Sequence, residues 1–145
     1  MQKLIYISIL CTILTAFICI QNVNAGIDSL KDIYAKKQDA LKTLDISAVS
    51  KYVTSNVISS IKKSPDPKAM LYLMNYHSPL KYTTGKETID GDNATMEISG
   101  TARNPELKGA EDSFTGNVLF KKEGSVWKVE KEDLKYKQSG NYIKY

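Results

Sequence analysis

The sequence predicts an α+β fold in two layers, with N-terminal helices packed on an antiparallel sheet of about four strands. Three observations predict it. Apolar residues recur at helical spacing from residue 27 to about residue 76. After Ser78 and Pro79 the period changes to two. Turn signals at "DGDN" (90–93) and "EGS" (123–125) then divide the second half into hairpins.

The chain opens "MQKLIYISILCTILTAFICIQNVNAG". Lys3 gives a positive start, residues 4–20 form an almost unbroken apolar run, and Val23 and Ala25 sit at the −3 and −1 positions of a cleavage site. This three-part layout predicts a signal peptide over residues 1–25, and hence export to the periplasm or the medium. An uncleaved anchor is the alternative, since the run nears the shortest length that spans a bilayer. After cleavage no membrane span is expected. Both cysteines, Cys11 and Cys19, fall inside the leader. The mature chain therefore carries no disulfide, thiol nucleophile or thiolate metal site. About 120 residues remain, enough for one domain held by its own core.

Loss of Lys3 takes the formal net charge from +4 to +3. Lysine supplies nearly all of the positive charge, and Arg103 is the only arginine. Readers of nucleic acid rely on arginine forks and a concentrated basic stripe, so a nucleic-acid partner is not expected.

The mature chain is one α+β domain over residues 26–133, followed by a basic, aromatic tail over residues 134–145. Ile27, Leu30, Tyr34, Leu41 and Leu44 predict a first helix, with Ser29 and Asp32 as its capping box. Asp45 is placed to cap a second helix, whose stripe is Ile46, Val49, Val53, Val57 and Ile61. "SPDP" ends it, and Asp66 with Pro67 starts a third through about Tyr76. Its "AMLYLMNY" is apolar nearly all round, which predicts deep burial.

A threonine- and lysine-rich strand is expected over residues 80–89. Next, Ala94, Met96, Ile98, Gly100 and Ala102 alternate with polar residues, the pattern of a half-buried strand. A polar loop of about ten residues follows. Phe114, Gly116, Val118 and Phe120 then share one face, and Trp127 with Val129 shares the corresponding face of the closing strand. Gly100 and Gly116 inside strands predict bends or bulges in a strongly curved sheet. The tail is either an extra edge strand or disordered.

"DGDNATMEISG" followed by "GNVLFKKEGSVWKVEKED", behind N-terminal helices, resembles the nuclear-transport-factor-2-like superfamily, a cystatin-like α+β fold. Within it, the match is to a small secreted bacterial lumazine-binding-like group of unknown function. The resemblance covers residues 27–133, and its most specific piece is the hairpin from Val118 to Val129 with Gly124 at the turn. It implies a cone, in which helices close over the concave face of a curved sheet. Some members use that cavity for isomerase or dehydratase chemistry, and others bind ligands or partners without catalysis.

Isomerase chemistry of the ketosteroid type needs a carboxylate base in an apolar cavity and a donor for the enolate oxygen. The faces expected to line the cone carry no acid. Glu97 would point inward only if the strand were shifted by one residue. His77, the sole histidine, lacks a sequence-placed acid to orient it. As the last residue of a helix it can instead bond the terminal carbonyls. Asp90 and Asp92 lack the other ligands of a calcium loop. Glu111 and Asp112 form a solvated loop pair. Neither a metal nor a cofactor is implied.

The expectation is therefore an exported, non-enzymatic domain that binds a small apolar ligand or a protein partner. Tyr52, Tyr72, Tyr76, His77, Met96 and Trp127 are the candidate cavity residues, each with ordinary core packing as its alternative. The competing classes are an isomerase- or dehydratase-like enzyme using a cavity acid, and a sheet-mediated assembly module such as a homodimer.

Overall fold

Among the described residues, four helices precede a four-stranded antiparallel sheet, an α+β arrangement. The computed structural model describes residues 28–137; the expected leader with its cysteines, Ile27, and residues 138–145 lie outside them. Helix α1 is Leu30–Lys42, α2 is Ile46–Val49, α3 is Ser55–Lys63 and α4 is Pro67–Tyr76. The strands are β1 Lys81–Asp90, β2 Asn93–Arg103, β3 Glu111–Glu123 and β4 Val126–Lys137, paired in chain order. Among the described residues no helix is long and apolar enough to cross a membrane.

The capping box of α1 forms as the sequence predicts. The Ser29 side chain accepts from the Asp32 backbone N–H, and the Asp32 carboxylate accepts from the Ser29 backbone N–H. Leu30, Ile33, Tyr34 and Leu41 are buried, and so are Lys37 and Gln38 on the same side of the helix.

The single second helix expected from Asp45 to Ile61 is instead two. Asp45 caps α2 through the Ser47 N–H, but α2 stops at Val49. Val53 is then extended and forms a parallel bridge with Val129. The Thr54 N–H donates to the Val129 carbonyl at 3.0 Å, and the Val129 N–H donates to the Tyr52 carbonyl at 2.8 Å. Thr54 caps α3 by accepting from the Val57 N–H. Two adjacent β-branched residues favour extended backbone, and the edge of β4 satisfies the polar groups that a continuous helix would have satisfied internally.

Helix α4 starts as predicted, with Pro67 in its first turn and the Asp66 carboxylate accepting from the Ala69 N–H. Its deep burial is not observed. Leu71 is buried, whereas Met70, Tyr72 and Leu73 are 38%, 54% and 49% exposed. The helix packs on α1 and α3 along one face, so its other apolar residues stay at the rim.

The core joins the inner face of the sheet to the helices. Ala94, Met96, Ile98 and Ala102 of β2, Phe114, Val118 and Phe120 of β3, and Trp127 and Val129 of β4 are buried, matching the predicted faces. Of the bends or bulges expected at Gly100 and Gly116, the bulges lie elsewhere. Register runs unbroken through Gly100 and Gly116 between β2 and β3. A Cβ at Gly100 would lie 2.0 Å from the Lys81 carbonyl oxygen, and one at Gly116 would lie 2.0 Å from that of Asp133. These glycines permit close approach of neighbouring strands. The actual register shifts set Gly85 and Lys86 opposite Glu97, and insert Glu130 into β4 between the partners of Leu119 and Phe120.

Two boundaries also differ from expectation. Strand β4 continues past Asp133 to Lys137, so Leu134 and Tyr136 belong to the sheet rather than to a tail or an extra strand. Asp112 is not solvated but 3% exposed at the start of β3. Both its carboxylate oxygens accept from Asn104 Nδ2, at 2.9 and 2.8 Å. Asn104 Oδ1 in turn accepts from the Glu106 and Leu107 N–H groups, which closes the loop into a buried staple.

Candidate functional site

The extra residue at Glu130 reverses the parity of β4. Before it, Trp127 and Val129 face the core; beyond it, Glu132 and Leu134 turn to the helix side. Helix α1 meets Glu132 with three donors from adjacent turns. The Tyr34 hydroxyl donates to Glu132 Oε1, Lys37 Nζ to Oε2 at 2.7 Å, and Gln38 Nε2 to Oε1 at 3.5 Å. The Tyr34 and Lys37 side chains are essentially fully buried, while 26% of the Glu132 side chain remains exposed. Burial pushes the Tyr34 phenol well above its ordinary range, and the Glu132 charge adds to that effect. Its ring meets Tyr82 edge-on at 5.2 Å.

The accessible side of Glu132 looks into a cleft of about 390 Å³ between α4 and the end of β4. Met70, Leu73 and Met74 form one wall, and Leu134 and Tyr136 form the other. His77 and Tyr136 also border a second chamber of about 670 Å³, lined by Ala102, Arg103, Pro105 and Asp112. Tyr136 packs on buried Phe114 at 6.0 Å between ring centres. The dimensions suit a small molecule, and the walls are mainly apolar with a few polar groups.

The six sequence-predicted residues do not converge here. His77 lines both chambers and caps the C-terminus of α4. Tyr76 supports Arg103, whose Nη1 donates to the Tyr76 carbonyl at 3.0 Å and whose guanidinium lies 5.6 Å from the Tyr76 ring. Tyr72 is exposed and stacks on Tyr76 at 6.3 Å. Met96 is fully buried in the core. Tyr52 and Trp127 border a separate cavity of about 250 Å³ at the opposite end of β4. Lys122 lies over the Trp127 ring at 5.4 Å.

Glu97 faces the outer side of the sheet, exposed, in a shallow polar depression of about 470 Å³ with Thr83, Ser99, Thr115 and Asn117. The acid that α1 meets on the helix side is Glu132, which strict alternation from Trp127 and Val129 places outward. One sequence signal marks the change. The apolar residues of β4 switch from odd positions (Trp127, Val129) to even positions (Leu134, Tyr136), which requires one inserted residue. Among the described residues no group of three or more His, Cys, Asp or Glu is placed to hold a metal ion.

Chemically, Glu132 is an acceptor with three of its four lone pairs engaged by tyrosine, lysine and glutamine, and the remaining one lies on Oε2 beside the Lys37 ammonium. A general base needs a free lone pair directed at the substrate.

No family model matches the sequence, and no curated protein does. The chain is similar to the solution structure of a SEC-C motif containing protein from Rhodopseudomonas palustris. The identity is 15% and the TM-score 0.55, over 72% of this chain and 77% of that one. This likeness concerns the fold. A weaker one, with 12% identity and a TM-score of 0.43, is to a protein described as a calcium/calmodulin dependent protein kinase II association domain from Xanthomonas campestris. It covers 74% of this chain and 85% of that one.

Proposed function

We propose that the protein is an exported, non-enzymatic binding domain, and that its ligand is a small apolar molecule held between α4 and the end of β4. One observation carries the reading. Met70 and Leu73 stay exposed on a helix that packs by its other face, and they border a cleft together with Tyr136. Exposed apolar residues gathered at a concavity mark binding surfaces. The apolar leader supports export. The strand bulges and close strand approach at Gly100 and Gly116 support a curved, cone-like sheet in the nuclear-transport-factor-2-like manner.

The test uses the neutral fluorescent probe N-phenyl-1-naphthylamine and purified protein. Saturable enhancement is expected, and Leu73→Asp should weaken it at least tenfold while circular dichroism stays unchanged. Absence of binding, or binding indifferent to Leu73→Asp, would refute the cleft as the site. In that case the exposed apolar strip on α4 would have to serve a protein partner.

A further inference from the structure

The charged groups of the cleft and of the chamber beside it are not equivalent. Glu132 is engaged by three donors from α1, and both oxygens of Asp112 accept from Asn104. Arg103 differs. It is exposed at the end of β2, and no carboxylate among the described residues forms an ion pair with it. A guanidinium carries five donors, and Arg103 gives one to the Tyr76 carbonyl. That bond, with the stacking on the Tyr76 ring, fixes the guanidinium in place while leaving other donors open. The His77 imidazole borders the same chamber and offers an N–H in either neutral tautomer.

We infer that the ligand is an amphiphile with a carboxylate head, and that Arg103 is the residue that anchors this head. The inference rests on the cleft being a ligand site. Charge complementarity favours an anion, because Glu132 is paired with Lys37 and both Asp112 oxygens accept from Asn104, whereas Arg103 has no carboxylate partner among the described residues and keeps donors open. A carboxylate fits this anchor, since it accepts two parallel bonds from one guanidinium. The apolar body then runs from His77 back along α4 to Met70, about 10 Å at 1.5 Å per residue. Met70 and Met74 are unbranched and adapt to a flexible chain without a fixed shape.

The matched fluorescent pair cis-parinaric acid and its methyl ester tests the anchor. The acid should bind the wild-type protein at least tenfold more tightly than the ester. Arg103→Gln should bring the acid down to the affinity of the ester and leave the ester unchanged. Arg103 is exposed, so the variant is expected to fold, and the wild-type comparison stands without it. Equal binding of acid and ester by the wild type would overturn the anchor while leaving the cleft as an apolar site. An acid preference surviving in Arg103→Gln would also overturn it. Failure of both ligands to bind would remove the cleft reading itself.

Discussion

The Lys37 ammonium lies 2.7 Å from Glu132 Oε2 and ties the third turn of α1 to the middle of β4, with the lysine side chain 2% exposed. Removing one partner of such a pair leaves a charge without compensation, whereas replacing both removes the desolvation cost as well. Lys37→Met should therefore cost about 3 kcal/mol, the low end for buried pairs because Glu132 keeps some solvent. The double variant Lys37→Met, Glu132→Met should recover most of that loss. Urea denaturation of the two single variants and the double variant checks this, and a strictly additive result would contradict it.

Deleting Glu130 should do more than shorten a strand. It would remove the bulge and restore strict alternation, with Val129, Lys131 and Glu132 still opposite Phe120, Leu119 and Val118, so that Glu132, Leu134 and Tyr136 keep the helix side. The variant should therefore keep the Tyr34 and Lys37 bonds to Glu132, and a loss of about 3 kcal/mol or more in a thermal melt would show that the bulge itself is needed to bring Glu132 to α1. Glu130→Ala keeps the inserted residue and should retain the parity.

On α4, neighbouring leucines should behave in opposite ways. Leu71 is 2% exposed, so Leu71→Ala should cost about 2–4 kcal/mol. Leu73 is 49% exposed, and Leu73→Ser should stay within about 0.5 kcal/mol of wild type. Chemical denaturation measures both, and equal losses would mean that the helix is covered on both sides.

Gly116→Ala should be severe. The added Cβ would meet backbone, the Asp133 carbonyl oxygen at 2.0 Å, which no side-chain rotation can relieve. A loss of about 3 kcal/mol or more is expected. A melting temperature within a degree or two of wild type would show that β3 and β4 can separate at no cost.

Glu123 should make stability depend on pH. Its carboxylate accepts from Ser55 Oγ at 2.6 Å and from the Ser55 N–H at 2.8 Å, and lies 3.2 Å from Lys128 Nζ. The Ser55 hydroxyl first, then its N–H and Lys128, hold the Glu123 carboxyl below its usual range. With the folded value depressed, the stabilisation is complete above the ordinary glutamate range and is lost as pH falls through the folded value. Glu123→Gln should thus cost less than about 1 kcal/mol at neutral pH, as suits a solvent-screened group. Urea midpoints of the two proteins should converge in acid, and a gap that widened instead would refute the assignment.

Much of the architecture was legible from periodicity. The capping box at Ser29, the Asp66–Pro67 start and the alternation through β2 and β3 are local signals, and each is satisfied by neighbours in sequence. What escaped depends on distant partners. Val53 and Thr54 fit a helical stripe until the backbone of Val129 offers an alternative. The apolar "AMLYLMNY" does not state which of its sides meets another helix. Glu132 was hidden because strict alternation places it outward, and the inserted Glu130 is legible only from the parity of residues on either side of it. Of the expected site residues, His77 reaches the cleft itself, since lining a particular cavity is decided by tertiary packing.

The short extended link at Tyr52 to Thr54 gives the sheet two unlike borders. Its hydrogen bonds to Val129 occupy the edge of β4 near the hairpin, while β1 closes the other side with a bulge at Gly85 and Lys86. Strands of another molecule that added to either border would meet occupied backbone groups on one and an irregular ladder on the other. The segment that interrupts the helices thus covers part of the β4 edge against edge-to-edge pairing, which suits a domain with no cysteine among its described residues to limit unfolding.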